Sequence, residues 1–328
     1  MKVLHSLTAT FLLCSFVYAA PISSESGFNG FVAGGVTTLS YKSNMVAGTK
    51  FDDEMSDKKI DNLNDKANSN STVQPSLNFN AKYTFAEQKT EIFLGTQLED
   101  VLTFESTAAI GARKEFDSLG VLGVSYLSSL SPTRVWKNPY ATGVDRDSAD
   151  MSSNGVSLNW EYILGSGFGA EFRMRKFDIK GGDKSPSDEL NREGYLKQII
   201  LSYQWHLNQQ HHITTFLRYS DYDLDGKAMQ HTKTGLKVSY MYLSQTWSFI
   251  TTVNASNSDY DNANPQFNGT TADAVAFGGS VTAMYANPFG LSEKLSFTTT
   301  IAGADSNSDI DFYDASVAIL NVGLLYRF

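Results

Sequence analysis

Three groups of residues in this 328-residue chain are of types that do chemistry. Ser153-Asn154-Gly155 offers a hydroxyl that a neighbouring base would have to activate. Among the histidines, His5 lies at the start of the chain, His206, His211 and His212 crowd around one turn, and His231 stands apart. Imidazoles so grouped form a candidate metal site, weighed against plain turn residues. The carboxylates repeat: Ser220-Asp221-Tyr222-Asp223, Ser258-Asp259-Tyr260-Asp261 and Ser308-Asp309-Ile310-Asp311. The first continues to Asp225-Gly226, so Asp221, Asp223 and Asp225 match the start of a calcium loop. Its last ligand position is Thr232 rather than Glu. A divalent cation at these residues is therefore set against acidic, solvated loop tips.

The remaining charges are spread through segments that alternate strictly. From Val73 to Phe85, Val73, Pro75, Leu77, Phe79, Ala81, Tyr83 and Phe85 oppose Gln74, Ser76, Asn78, Asn80, Lys82 and Thr84. One face is apolar and the other polar over the length a tilted strand needs to cross a bilayer. Phe104 to Arg113, Val156 to Tyr162, Phe168 to Arg175, Leu236 to Tyr240 and Trp247 to Val253 repeat the pattern. If the apolar faces meet lipid, the interior receives Glu91, Glu105, Arg113, Glu161, Glu171, Arg173, Arg175, Gln198, Gln204, Arg218, Lys233 and Lys237. Opposed acidic and basic walls would set up a transverse field. The plainer alternative is that Glu and Arg pair across strands and fill the space.

Such segments number about 14, with 12 or 16 the neighbouring even counts. They run 28-43, 72-85, 90-98, 102-115, 120-130, 153-164, 168-179, 195-206, 211-222, 232-242, 246-256, 272-286, 294-303 and 313-328. Short turns, such as 86-89 and 207-210, interleave with long polar loops at 44-71, 131-152, 180-194, 223-231, 257-271 and 304-312. Aromatic residues gather at the predicted strand ends: Tyr83, Phe85, Tyr162, Phe168, Tyr203, Trp205, Tyr240, Tyr242, Trp247 and Tyr285 by the turns, Tyr41, Phe104, Tyr195, Tyr219 and Tyr313 by the loops. These would form interfacial girdles. The fold expected is an all-β, transmembrane, antiparallel up-and-down β-barrel with short periplasmic turns and long extracellular loops. A soluble sandwich also alternates, but seldom needs strands this long.

The start of the chain reads as a secretory signal peptide: Lys2, an apolar run from Leu7 to Ala20, and a small-residue exit at Val17 and Ala19. That gives residues 1-19 as leader and 20-328 as one barrel domain. Cys14, the single cysteine, leaves with the leader, so the exported chain carries no disulfide. The formal charge of -9 has no basic block behind it, which argues against nucleic acid as a partner. No apolar run after the leader is long enough for a membrane helix. The mean hydropathy of -0.24 does not argue against a barrel, whose strands average lipid-facing with lumen-facing residues.

Leu320, Val322, Leu324, Tyr326 and Phe328 alternate up to the carboxyl end, which resembles the signal read by the barrel-assembly machinery of the outer membrane. With the leader, the alternating segments and the Leu-Leu-Tyr-Arg-Phe ending, the chain resembles porin-type outer-membrane barrels. It is more closely similar to an uncharacterised family of outer-membrane proteins of marine bacteria. The resemblance implies an integral outer-membrane protein in contact with lipid and lipopolysaccharide; it does not name a substrate. The Pro-Glu-Phe-Gly type motif of general trimeric porins is missing from the third loop, and Asn287-Pro288-Phe289-Gly290 sits in a predicted periplasmic turn. Outer-membrane phospholipases carry His-x-Ser-Asn-Gly, which Met151 breaks here. Outer-membrane proteases need an Asp-His pair at the outer rim, whereas His211 and His212 fall at the opposite end. No enzyme activity and no cofactor are expected.

The expected function is a channel for passive diffusion of small hydrophilic solutes. The alternative is a non-transport barrel acting in adhesion, lipopolysaccharide contact or membrane integrity. Within a channel, the third loop with Arg134, Lys137, Asp145, Arg146, Asp147 and Asp150 would fold inward as the constriction, or else stand outward in solvent.

Overall fold

The computed structural model describes residues 21–52 and 55–328, so the predicted leader lies outside the described residues. The strands in chain order are β1 (Gly27–Ser43), β2 (Val46–Gly48), β3 (Asn70–Phe85), β4 (Thr90–Asp100), β5 (Glu105–Phe116), β6 (Gly120–Ser131), β7 (Thr133–Trp136) and β8 (Ser148–Glu161), followed by β9 (Phe168–Ile179), β10 (Gly194–His206), β11 (His211–Leu224), β12 (His231–Leu243), β13 (Trp247–Tyr260), β14 (Ala274–Ala286), β15 (Leu295–Ser308) and β16 (Ala315–Arg327). All but β2 and β7 form a closed antiparallel barrel of 14 strands with up-and-down connectivity. Closure comes from β1, which pairs with β16 from Phe31↔Arg327 to Ser43↔Ala315 and with β3 on its other side. The barrel wall itself, as described, is left without an edge strand.

The alternation read from the sequence becomes an inside and an outside. On β15, Ser296, Thr298 and Thr300 are buried while Phe297 and Ile301 are exposed; on β13, Ser248, Ile250 and Thr252 are buried while Trp247, Phe249 and Val253 face out. A continuous belt of exposed Val, Leu, Ile and Phe cannot stay in water at roughly 25 cal/mol per Å² of apolar surface. A bilayer is the solvent that accepts it. Trp205, Tyr240, Trp247, Phe297, Tyr326 and Phe328 ring the turn end of the outer face, and Phe28 stacks on Phe328 at 5.1 Å. Tyr195, Tyr219 and Phe277 mark the loop end. The protein is thus an integral outer-membrane β-barrel.

At the last strand, Leu320, Val322, Leu324 and Tyr326 all face lipid, in phase with the belt. Three aromatics assigned to the outer girdle are elsewhere, one of them Tyr313, which packs among the loops over the mouth. Tyr41 is buried in the interior, its hydroxyl donating to Leu102 O at 2.6 Å, and Phe104 turns in to pack on it at 4.6 Å. Phe104 takes a positive φ of 53° in the turn between β4 and β5, which removes it from the strand phase.

The long loops fold over the outer mouth. Ile60, Tyr140, Leu190, Leu224, Met229, Ala272, Ile310 and Phe312, from six different connections, form one buried apolar cluster, with Tyr260, Phe267 and Tyr313 packed against it. Tyr140 stacks on Phe312 at 5.6 Å and hydrogen-bonds the hydroxyl of Tyr313, which also accepts from Asn264 Nδ2 at 2.7 Å. Burial raises the pKa of both phenols, so they stay neutral and hold the bond. The barrel therefore has an external cap.

Candidate functional site: the charged lumen

Ladders of ions line one wall of the interior. Glu91 on β4 is 2% exposed and receives Lys82 Nζ at 3.0 Å from β3 and Arg113 Nη2 at 2.7 Å from β5. Arg113 Nη1 then reaches Glu161 Oε2 on β8 at 2.8 Å, passing over β6. Gly123 keeps that crossing clear, since a Cβ there would stand 3.1 Å from Arg113 Cγ, a tight contact. Glu171 and Arg173 pair on β9, and Ser157 Oγ donates to Glu171 at 2.6 Å. Two adjoining cavities share Asn159, Glu161 and Glu171, so this ladder borders open space in the turn-side half of the barrel.

Further out, Arg175 on β9 pairs with Glu105 on β5, and Ser153 Oγ donates to Glu105 at 3.1 Å. Gly155 gives Arg175 its path: a Cβ there would meet Met174 O at 2.0 Å and Arg175 Cγ at 2.8 Å. The Ser153-Asn154-Gly155 motif thus has a structural use. Its serine lies against a carboxylate, an arginine and Ser129, and among the described residues no histidine hydrogen-bonds it.

Near the cap the two walls touch. Lys233 Nζ on β12 lies 3.3 Å from Asp100 Oδ2 on β4, which is half-way round the barrel. Asp100 escaped the sequence reading because the β4–β5 register shifts between Leu98 and Asp100. Such a bulge re-aims the following side chain. Asp100 pairs directly with Glu105, whose side chain is lumenal, so it too points inward; Leu102 N donates to it at 2.8 Å. Lys82 was seen only as a polar-face residue of its strand. The remaining wall, from β13 through β16 to β1, sets hydroxyls and amides among small apolar clusters: Thr282 Oγ1 meets Thr300 Oγ1 at 2.8 Å, Asn321 Nδ2 donates to Thr37 and Ser76 at 2.6 and 2.7 Å, and Ile250 with Met284 and Phe31 with Leu325 pack between them.

All ten charged residues assigned to the lumen, Glu91, Glu105, Arg113, Glu161, Glu171, Arg173, Arg175, Arg218, Lys233 and Lys237, fall on inward-facing positions. Gln198 does too, donating to Ser220 Oγ at 3.0 Å, and Gln204 lines the turn-side cavity. Most of these charges are paired across strands, as the plainer alternative had it. Arg218 differs: among the described residues it makes no ion pair, although it lies in the field of Asp100. Lys237 Nζ sits 4.4 Å above the ring of Phe216.

The third loop does not form a ring of charges. Arg134 binds Asp150 at 2.8 Å beside the short β7–β8 ladder, and Asp145 meets Lys58 at 3.6 Å in solvent. Asp147 is exposed and Lys137 is half-buried, its carbonyl accepting from Arg192 Nη2 at 3.2 Å. Only Arg146 is buried, and it is spent on backbone: it donates to Asn44 O and Pro139 O at 3.0 Å each and to Asp57 O, with its guanidinium 4.5 Å over Trp136. Burial brings its pKa down to about 10, Asp57 opposing, yet it stays charged. The loop closes the mouth through Tyr140, an apolar contact, rather than through the charges expected to constrict it.

The proposed calcium ligands are not brought together either. Asp221 and Asp223 stand on the outward face of β11, where Lys197 Nζ approaches them at 3.9 and 2.9 Å, and Asp225 has moved into the loop. An ammonium occupies the place a cation would take. Among the described residues, no group of three or more His, Cys, Asp or Glu is arranged to hold a metal. His206 and His212 pack edge to face at 5.0 Å, His211 Nδ1 bonds Tyr240 OH at 2.6 Å, and His231 is stacked between Tyr222 and Tyr260.

Similar architectures occur among solved structures. A loop-deleted OmpT, an outer membrane protein of Vibrio cholerae, aligns over 91% of this chain and 99% of its own at 9% identity, TM-score 0.42. The anion-selective porin from Comamonas acidovorans aligns over 93% and 99% at 8% identity, TM-score 0.40. A Pseudomonas aeruginosa FadL homologue aligns over 91% and 90% at 11% identity, TM-score 0.47. No curated protein matches the sequence. Residues 27–327, the barrel from its first strand to its last, match the family described as "Protein of unknown function (DUF2860)", and the chain belongs to that family.

Proposed function

We propose that the barrel is an outer-membrane channel for passive diffusion of small hydrophilic solutes, with the external cap as its closed door. The observation that carries this reading is the accessible ion pair inside the barrel. Asp100 and Lys233 keep 26% and 24% of their side-chain surface accessible although both lie in the interior. An interior built only to be filled would exclude solvent from such a pair or replace it with apolar side chains. Support also comes from Gln97 Oε1, Thr214 Oγ1 and Thr298 Oγ1, which the protein leaves without partners. Buried polar atoms in that state ordinarily require water. A barrel of this strand number is wide enough that side chains need not occlude it.

A second reading has its own observation. The apolar cap core is built like a permanent cover, which favours a non-transport barrel acting in adhesion, lipopolysaccharide contact or membrane integrity. Osmotic swelling of proteoliposomes separates the two. The channel reading predicts that vesicles carrying the folded barrel admit small sugars and zwitterions faster than protein-free vesicles, with a size cut-off. Swelling rates equal to those of protein-free vesicles for every solute would favour the cover.

A further inference from the structure

In the strand register Arg218 stands directly opposite Gly235, and two residues to either side of that glycine are Lys233 and Lys237. All three cations point into the lumen, from neighbouring strands, around a position that carries no side chain. Diagonal neighbours on one sheet face lie about 7–8 Å apart, within reach of long side chains, and like charges so placed repel. Lys237 gains the face of Phe216, 4.4 Å from its Nζ, but the three cations gain nothing from one another. Arg218 makes no ion pair among the described residues, and Lys233 is held only from across the lumen, by Asp100. On the far side of Gly235 lies Ser256, its direct cross-strand partner, which adds a hydroxyl to the rim.

We infer that Arg218, Lys233 and Lys237, set around Gly235, form a binding step for small anionic solutes, carboxylates or phosphates, inside the lumen. The guanidinium supplies the forked donor that matches either oxyanion. Asp100 is the tethered carboxylate that occupies Lys233 until a solute carboxylate or phosphate replaces it. The inference deepens the channel reading by naming its solute class, but anion binding to the folded barrel can be measured without any permeation.

The probes are inorganic phosphate and carboxyl-labelled acetate, whose NMR linewidths are followed against the purified full-length barrel in detergent at fixed ionic strength. The expected result is broadening of at least one probe by the wild type, with the tighter binder identifying the solute. Arg218→Gln weakens it at least about tenfold, the loss of one charge-assisted contact. Arg218→Lys keeps the charge without the fork and falls between the wild type and Arg218→Gln, and Lys197→Gln on the outer rim leaves binding unchanged. Gly235→Val fills the gap without removing a charge and gives a comparable loss; a Cβ there meets only Ser256 Cβ at 3.3 Å and Ala255 O at 3.5 Å. Binding by folded Arg218→Gln or folded Gly235→Val equal to the wild type overturns the proposal. So does a folded, conducting wild type that broadens neither probe, a result that leaves the channel reading standing. Folded protein that binds but never conducts overturns the channel reading and leaves the anion site.

Discussion

Lys233 Nζ and Asp100 Oδ2 are 3.3 Å apart although their strands lie on opposite walls of the barrel. A contact of that kind fixes how narrow the lumen is at its outer end. It also ties a cationic wall on β11 and β12 to the acidic residues of β4 and β5, so breaking it changes both width and charge.

Asp100→Asn is therefore expected to raise conductance and shift the reversal potential under a salt gradient towards anions. Because a quarter of each side chain is accessible, the stability loss should be smaller than that for a fully buried pair. An unchanged reversal potential would contradict the tether.

Arg113 is the opposite case. Its removal, as Arg113→Leu, leaves Glu161 and part of Glu91 as buried carboxylates without their cation, with Lys82 still on Glu91. A loss of about 3–5 kcal/mol is expected, read as a lower urea midpoint for barrel unfolding. The triple variant that adds Glu91→Gln and Glu161→Gln should recover much of it.

The cap is expected to open without loss of the barrel. Phe312→Ala removes a ring that packs on Tyr140 and Phe267, about 3–5 kcal/mol of local packing. External loops should become protease-sensitive while the strands stay protected, and open-channel probability should increase. Equal protease resistance in variant and wild type would show that the cluster does not hold the cap.

Acid should loosen one side of the cap first. Asp183 accepts from Arg192 Nε at 2.7 Å, and Arg192 Nη2 donates to Trp136 O at 2.7 Å, linking the loop after β9 to the third loop. Burial works against the carboxylate, but Arg192 and Ser185 hold its pKa below the usual 3.8. A lowered value means that the ionised form stabilises the fold above pH 3.8, and that the contribution is lost as pH falls through the lower folded value. Pepsin cleavage within residues 180–193 should rise across that window, and Asp183→Asn should show comparable loosening at neutral pH. Cleavage independent of pH in the wild type would exclude the link.

The barrel was legible because lipid on one side and a polar lumen on the other impose the two-residue period on every spanning strand. Strand number, phase and the inward charges follow from that constraint. Beyond the bilayer the constraint ends. β8 starts at Ser148 rather than 153 because it pairs with β7 above the membrane, and β13 and β15 also continue past their predicted ends. The cap residues Ile60, Tyr140, Leu190, Met229 and Phe312 lie at isolated or very short apolar stretches of polar loops, with no period to reveal them. Asp100 was hidden by one bulge, which reverses phase within a strand and leaves no mark in composition. The anion cradle was half visible: Arg218, Lys233 and Lys237 were read as lumenal, but only the register puts Gly235 between them.

The most direct test of the account is single-channel recording from purified full-length protein in a planar bilayer. Discrete, reproducible conductance steps that increase in size or frequency with Asp100→Asn are predicted. Folded barrels that insert yet give no steps, in the wild type and in Asp100→Asn alike, would contradict it.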